Sequence, residues 1–130
     1  MAEFRRVTDD FWVSPQISVQ EVAQAKALGF VAIVNNRPDG EAPGQPASRE
    51  IEAAARALGM NYLHAPVSGP PTPEAIVAVD AVASGRKTLA FCRSGTRSIV
   101  TWTLGQTRKR PRDEIVRLAG EAGYDVSTVV

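Results

Sequence analysis

The sequence predicts an α/β fold of three layers, a mainly parallel central sheet flanked by helices. Three observations carry this expectation. Short apolar runs alternate with helical stretches along the whole chain. One of these runs, FVAIVNN (30–36), is apolar without alternation, as a strand covered on both faces is. The helical stretches carry start and stop residues where a helix needs them.

In order, FRRVT (4–8) and FWVS (11–14) read as two short strands around Asp9 and Asp10. SVQEVAQAKALG (18–29) is a helix: Ser18 and Glu21 have capping-box spacing, and Gly29 suits the left-handed residue after the last turn. FVAIVNN is a strand and RPDGEAPGQPA (37–47) a loop. SREIEAAARALG (48–59) is a second helix, stopped at Gly59, and NYLHAPV (61–67) is another strand. SGPPTPEAIVAVDAVASG (68–85) gives a loop and a third helix, with Thr72 as N-cap and Pro73 at the first helical position. KTLAF (87–91) is a strand, SIVTWTLGQ (98–106) a helix, and a last helix begins at Pro111.

The 130 residues fit one domain, 1–130, and 44% of them are hydrophobic. A net charge of +1 provides no field to recruit nucleic acid. The cations of TRKRPRDE are balanced by Asp113 and Glu114, as in a solvated loop between helices. No apolar run reaches membrane-spanning length, and no membrane partner is expected. One cysteine excludes an internal disulfide and, with no secretory leader in MAEFRRVTDDFW, points to the cytoplasm. His64 alone makes no metal site, and neither metal nor cofactor is expected.

That cysteine lies in FCRSGTRS (91–98), which joins the end of a buried strand to the start of a helix. Ligands of open α/β sheets bind at this edge. Gly95 permits a tight turn in which successive N–H groups point inward as an anion nest. Arg97 adds a planar fork of donors suited to an oxyanion. Thiols at helix N-termini beside arginine ionise readily, and the thiolate is the working nucleophile. A lone cysteine is ordinarily a small core residue; the glycine and the two arginines set Cys92 apart. Arg93, Ser94, Gly95, Thr96 and Ser98 are the candidate anion-binding positions, with Ser94 and Ser98 placed to reach the sulfur and Ser98 equally suited to cap the next helix.

Cys92-Arg93-Ser94-Gly95-Thr96-Arg97 leaves four residues between cysteine and arginine. Protein tyrosine and dual-specificity phosphatases carry five; rhodanese-type sulfurtransferases carry four, often as Cys-Arg-Ser-Gly-x-Arg. Ser98 stands where the phosphatase arginine belongs, and Phe91 where phosphatases usually have histidine. Taken together, VNNRPDGE, LGMNYLHAPV, FCRSGTRS and DEIVRLAGEAGYDVS resemble the beta-lactamase hydrolase-like protein, phosphatase-like domain family, over about Phe4 to Ser127. The resemblance implies a dual-specificity-phosphatase-like fold and a cysteine-dependent phosphatase-like hydrolase. In it the Cys92 thiolate attacks an oxyanion substrate held by the 92–97 amides and Arg97. The alternative is a sulfurtransferase working through a Cys92 persulfide on a sulfur donor; a third is a non-catalytic anion- or partner-binding domain. SGPPTPE holds no aspartate where dual-specificity phosphatases place their general acid. Asp39 is a substitute only if its loop folds over the cysteine, and Pro-Asp-Gly reads equally as a turn. Asn35, Asn36 and Arg37 are candidates for the pocket rim.

Overall fold

A computed structural model of the chain describes residues 3–130. The elements are β1 (Arg5–Arg6), β2 (Phe11–Ser14), α1 (Val19–Ala27), β3 (Ala32–Asn35), α2 (Ser48–Ala57), β4 (Asn61–His64), α3 (Pro73–Ala83), β5 (Thr88–Phe91), α4 (Thr96–Gln106) and α5 (Arg112–Glu121). The sheet runs β1-β2-β5-β3-β4, parallel except for β1, which pairs antiparallel with β2. Ser14, Phe91, Asn35 and His64 are in register across the four parallel strands. Their C-terminal ends therefore form one even edge, and the chain leaves that edge at Cys92.

Strand alternation divides the core in two. Phe11, Val13, Val34 and Ala90 face α3, α4 and α5, where Val79, Ile99, Trp102, Ile115 and Ala119 meet them. Ile33, Leu89 and Phe91 face α1 and α2, against Ile17, Val22, Ala25, Ile51 and Ala55. All four residues of β3 and of β5 are buried, as two-sided coverage of an unbroken apolar run demands. Each large side chain buried this way contributes about 1.5–3 kcal/mol, which makes the two central strands the firmest support for whatever follows β5. Trp102 belongs to this core, stacked on Phe11 with ring centroids 5.6 Å apart. No helix among the described residues is long and apolar enough to cross a membrane.

The caps form as the sequence indicates. The Ser18 hydroxyl accepts from the Glu21 N–H while the Glu21 carboxylate accepts from the Ser18 N–H, and Thr72 accepts from the Ala75 N–H. Gly29 and Gly59 are left-handed, at φ 94° and 75°. Several boundaries differ: the 30–36 strand narrows to Ala32–Asn35, the 87–91 strand starts at Thr88, and the last helix starts at Arg112 with Pro111 as its N-cap. The first strand stops after Arg6, because the N–H groups of Val7 and Thr8 both turn to the Phe11 carbonyl and close the hairpin early. The strand beginning at Asn61 ends at His64, beyond which Ala65 and Val67 bond to the carbonyls of Asn35 and Asn36 in a bend. The fourth helix starts at Thr96, two residues before the expected Ser98.

Candidate active site

Cys92 follows β5 directly and is completely buried. The next three residues turn the chain into α4. Gly95 occupies the N-cap position at φ 93°, a left-handed conformation costly for any residue with a Cβ. The carbonyls of this loop are drawn outward: that of Arg93 accepts from the Gln16 N–H at 3.3 Å, and that of Ser94 from the Tyr124 hydroxyl at 2.9 Å. In the same two peptide units the Ser94 and Gly95 N–H groups point the opposite way. The Gly95 N–H donates to the Cys92 sulfur at 3.1 Å, while the N–H groups of Arg93, Ser94, Arg97 and Ser98 have no protein acceptor among the described residues. Free donors at a helix start, beside a buried sulfur, are the elements an anion seat requires.

Arg97 closes one side of the seat. Its guanidinium donates to the Val67 carbonyl at 2.8 Å and, through two nitrogens, to both carboxylate oxygens of Glu41 at 2.7 and 2.8 Å. Glu41 chiefly, with a smaller contribution from the Cys92 sulfur, raises the Arg97 pKa against the effect of burial. Glu41 also accepts from Arg37 at 2.9 Å, and Arg37 in turn donates to the Gln16 side chain at 3.0 Å. The loop bearing Glu41 is cross-braced by Gln45, which accepts from the Glu41 N–H and donates to the Pro38 carbonyl.

The two arginines, Arg97 first and Arg37 second, lower the Glu41 carboxyl from its ordinary 4.5 to about 2. A depressed carboxylate contributes stability that is complete above its unfolded value and is lost as pH falls through the folded one. The stability difference between the wild type and Glu41→Gln is therefore expected to stay flat from about pH 8 to pH 5. It should shrink only as acidification passes from about 4.5 toward about 2. Denaturant titrations of both proteins across this range check it; a difference that collapses between pH 7 and 5 would mean that Glu41 is not held by these arginines.

The structure gives several sequence candidates other work. The Ser98 hydroxyl donates to the Asn36 side-chain oxygen at 2.8 Å rather than to the sulfur; Ser98 is the third residue of α4 and does not cap it. Asn36, wholly buried, also donates to the Ala65 carbonyl, and Asn35 bonds Tyr62 and the Arg37 N–H. These two asparagines serve as ties, Asn36 to Ser98 at the start of α4, while Arg37 reaches Arg97 through Glu41. Ser94 and Thr96 share a hydroxyl–hydroxyl contact at 3.1 Å, and the Ser94 hydroxyl also accepts from the Thr96 N–H at 3.4 Å, capping the helix start. The Arg93 side chain is exposed. Asp39 accepts from the Ser48 N–H at 2.8 Å, capping α2 where Ala47 has no side-chain acceptor to offer. His64 bonds the Arg37 carbonyl at 2.9 Å. Glu41, Gln16 and Tyr124 escape a reading of the sequence; the available signal was one acidic residue in a Pro/Gly-rich loop between Arg37 and the cysteine.

The sequence pattern of the beta-lactamase hydrolase-like protein, phosphatase-like domain family matches residues 3–109. The chain belongs to this family. A beta-lactamase hydrolase-like protein of Agrobacterium fabrum is 34% identical over 127 residues, covering 93% of this chain, and one from Xylella fastidiosa is 33% identical over 123 residues, covering 91%. The phosphatase-like domain spans less than a third of the length of these relatives, 29% and 28%. Among solved structures, a candidate phosphatase from Neisseria meningitidis superimposes with a TM-score of 0.81 at 27% identity, over 95% of this chain and 91% of that one. Tk-PTP in its active form superimposes at 0.71 with 21% identity, over 95% and 87%, which speaks to the fold alone. The fold of the phosphatase-like domain is that of tyrosine and dual-specificity phosphatases, reached here with a loop one residue shorter between Cys92 and Arg97.

Proposed function

We propose that this phosphatase-like domain is a cysteine-dependent hydrolase of small oxyanion esters, acting in a reducing compartment that keeps Cys92 a thiol. The observation that carries this reading is the Gly95 N–H donating to the buried sulfur, with four further loop and helix-start N–H groups lacking a protein acceptor among the described residues and Arg97 nearby. The Cys92 thiolate attacks phosphorus; the S–P bond forms as the P–O bond to the leaving group breaks, and the leaving oxygen takes a proton. Water then attacks the phosphocysteine, releasing phosphate and restoring the thiolate. The amides stabilise charge growing on the equatorial oxygens. Proton donation to the leaving group is the weak point, because Asp39 is engaged at α2 and Glu41 is ionised at neutral pH. A general acid is worth about 10²–10⁴-fold, so activated aryl esters are favoured over alkyl or phosphotyrosine esters.

The four-residue spacing and the occupied Asp39 favour sulfur transfer as a second reading. There the thiolate attacks the outer sulfur of thiosulfate, an S–S bond forms, and sulfite leaves without needing a proton. One preparation tests both. Slow release of nitrophenol from p-nitrophenyl phosphate, little turnover of a phosphotyrosine peptide, and full retention of the rate in Asp39→Asn are expected. A gain of one sulfur on Cys92 by intact mass after thiosulfate, without phosphate release, would replace hydrolysis by the second reading. Efficient phosphotyrosine turnover that disappears in Asp39→Asn would return the acid role to Asp39.

A further inference from the structure

The Glu41 carboxylate meets Arg97 as an incoming oxyanion would, with two parallel N–H···O bonds along one edge of the guanidinium. Its Oε1 is shared with Arg37, so one carboxylate bridges both cations of the site. The Arg37 side chain is only 6% exposed and that of Glu41 29%. The sulfur behind them has no solvent exposure at all. The loop is anchored on both sides of Glu41, by Asp39 at Ser48 and by Gln45 at Pro38, while Gly40 and Gly44 adopt left-handed φ of 77°. A swing of the Glu41 side chain alone can thus clear Arg97. The displaced carboxylate meets water, since it is already partly exposed.

We propose that Glu41 is a built-in occupant of the arginine side of the oxyanion seat, which a substrate must displace from Arg97, and that it makes the seat selective for doubly charged tetrahedral anions. The inference rests on the reading of the 92–97 loop as that seat. A tethered carboxylate competes at an effective concentration in the millimolar range or above. A free carboxylate or other singly charged anion offers Arg97 and Arg37 nothing that Glu41 does not already give them. A phosphate- or sulfate-like dianion brings more charge to the two arginines and further oxygens for the loop amides, and this surplus is what drives Glu41 off.

The test is calorimetric titration of inorganic phosphate and of acetate into the wild type, Glu41→Gln, Glu41→Asp and Arg97→Ala, with circular dichroism to establish folding. Glu41→Asp keeps the charge on a side chain one methylene shorter, too short to bridge both arginines, and serves if Glu41→Gln does not fold. Expected are phosphate affinity raised roughly tenfold in Glu41→Gln, as loss of a partly exposed ion-pair competitor predicts, a smaller rise in Glu41→Asp, and acetate binding measurable only once Glu41 is changed. Alkylation of Cys92 should respond in parallel, with iodoacetate accelerated far more than neutral iodoacetamide in Glu41→Gln. Phosphate binding that depends on Arg97 yet is unchanged or weaker in Glu41→Gln would overturn the proposal and make Glu41 a support for Arg97. Equal acceleration of both alkylating reagents would do the same, as general loosening of the loop. Phosphate binding to none of the proteins would remove the seat itself, and the occupant with it.

Discussion

Cys92→Ser is expected to abolish turnover while leaving the anion seat intact. The serine hydroxyl is a poor nucleophile at neutral pH, because no base in the site is placed to take its proton and the nearest contact is a donor, the Gly95 N–H. Loss of a catalytic nucleophile typically costs on the order of 10⁴-fold or more in rate. The substitution is otherwise mild. A hydroxyl accepts from the Gly95 N–H as the sulfur does, and the residue remains enclosed at the end of β5. Phosphate affinity and thermal midpoint should therefore stay near the wild type. Parallel measurement of rate and affinity checks this, and residual turnover within tenfold of the wild type would place the nucleophile elsewhere.

Gly95→Ala should damage fold and site together. A Cβ at φ 93° carries the left-handed penalty of about 1–2 kcal/mol. It would also overlap the Tyr124 hydroxyl and lie 3.1 Å from the buried Val13 Cγ1, so the half-exposed tyrosine must swing away and give up its bond to the loop. Roughly 3 kcal/mol in all is expected, a drop in thermal midpoint of roughly 10 °C for a chain of this size. Phosphate binding should be lost with it, because the same turn aims the amides. Tyr124→Phe removes the hydroxyl that collides with the new methyl but also the bond that holds the Ser94 carbonyl outward. The double variant should therefore lose less than the sum of the two single ones. Strict additivity in denaturant unfolding would mean that Tyr124 does not confine Gly95.

Much of this architecture is legible in the chain. The run at 30–36 reads as a strand covered on both faces and 87–91 as a strand, and Ser18, Glu21, Thr72, Pro73, Gly29 and Gly59 each act locally, within a few residues of what they cap. Cys92 and Arg97 come together because only four residues of loop and helix start separate them. What escapes is long-range. Asp39 caps a helix that begins nine residues later, Glu41 meets an arginine 56 residues away, and Tyr124 reaches the Ser94 carbonyl across 30. Nothing in the periodicity of either segment encodes such a meeting. Ser98 illustrates the converse: beside a cysteine and after a glycine it suits the sulfur or a cap, yet the early start of α4 rotates it toward Asn36, 62 residues back.

These separations bear on how the molecule is made. Joining Ser98 to Asn36 and Arg97 to Glu41 closes long loops, whose entropic cost precedes any stabilisation from the contact. During synthesis the strands through Phe91 emerge from the ribosome before α4, and Tyr124 emerges later still. Until that tyrosine arrives, the Ser94 carbonyl has no outward partner and the loop amides have no fixed aim. The nascent thiol is then an ordinary cysteine, open to oxidants and without its cationic neighbours in place. Protection of Cys92 from alkylation thus becomes a clock for the docking of Tyr124 on the loop, a step later than formation of the sheet.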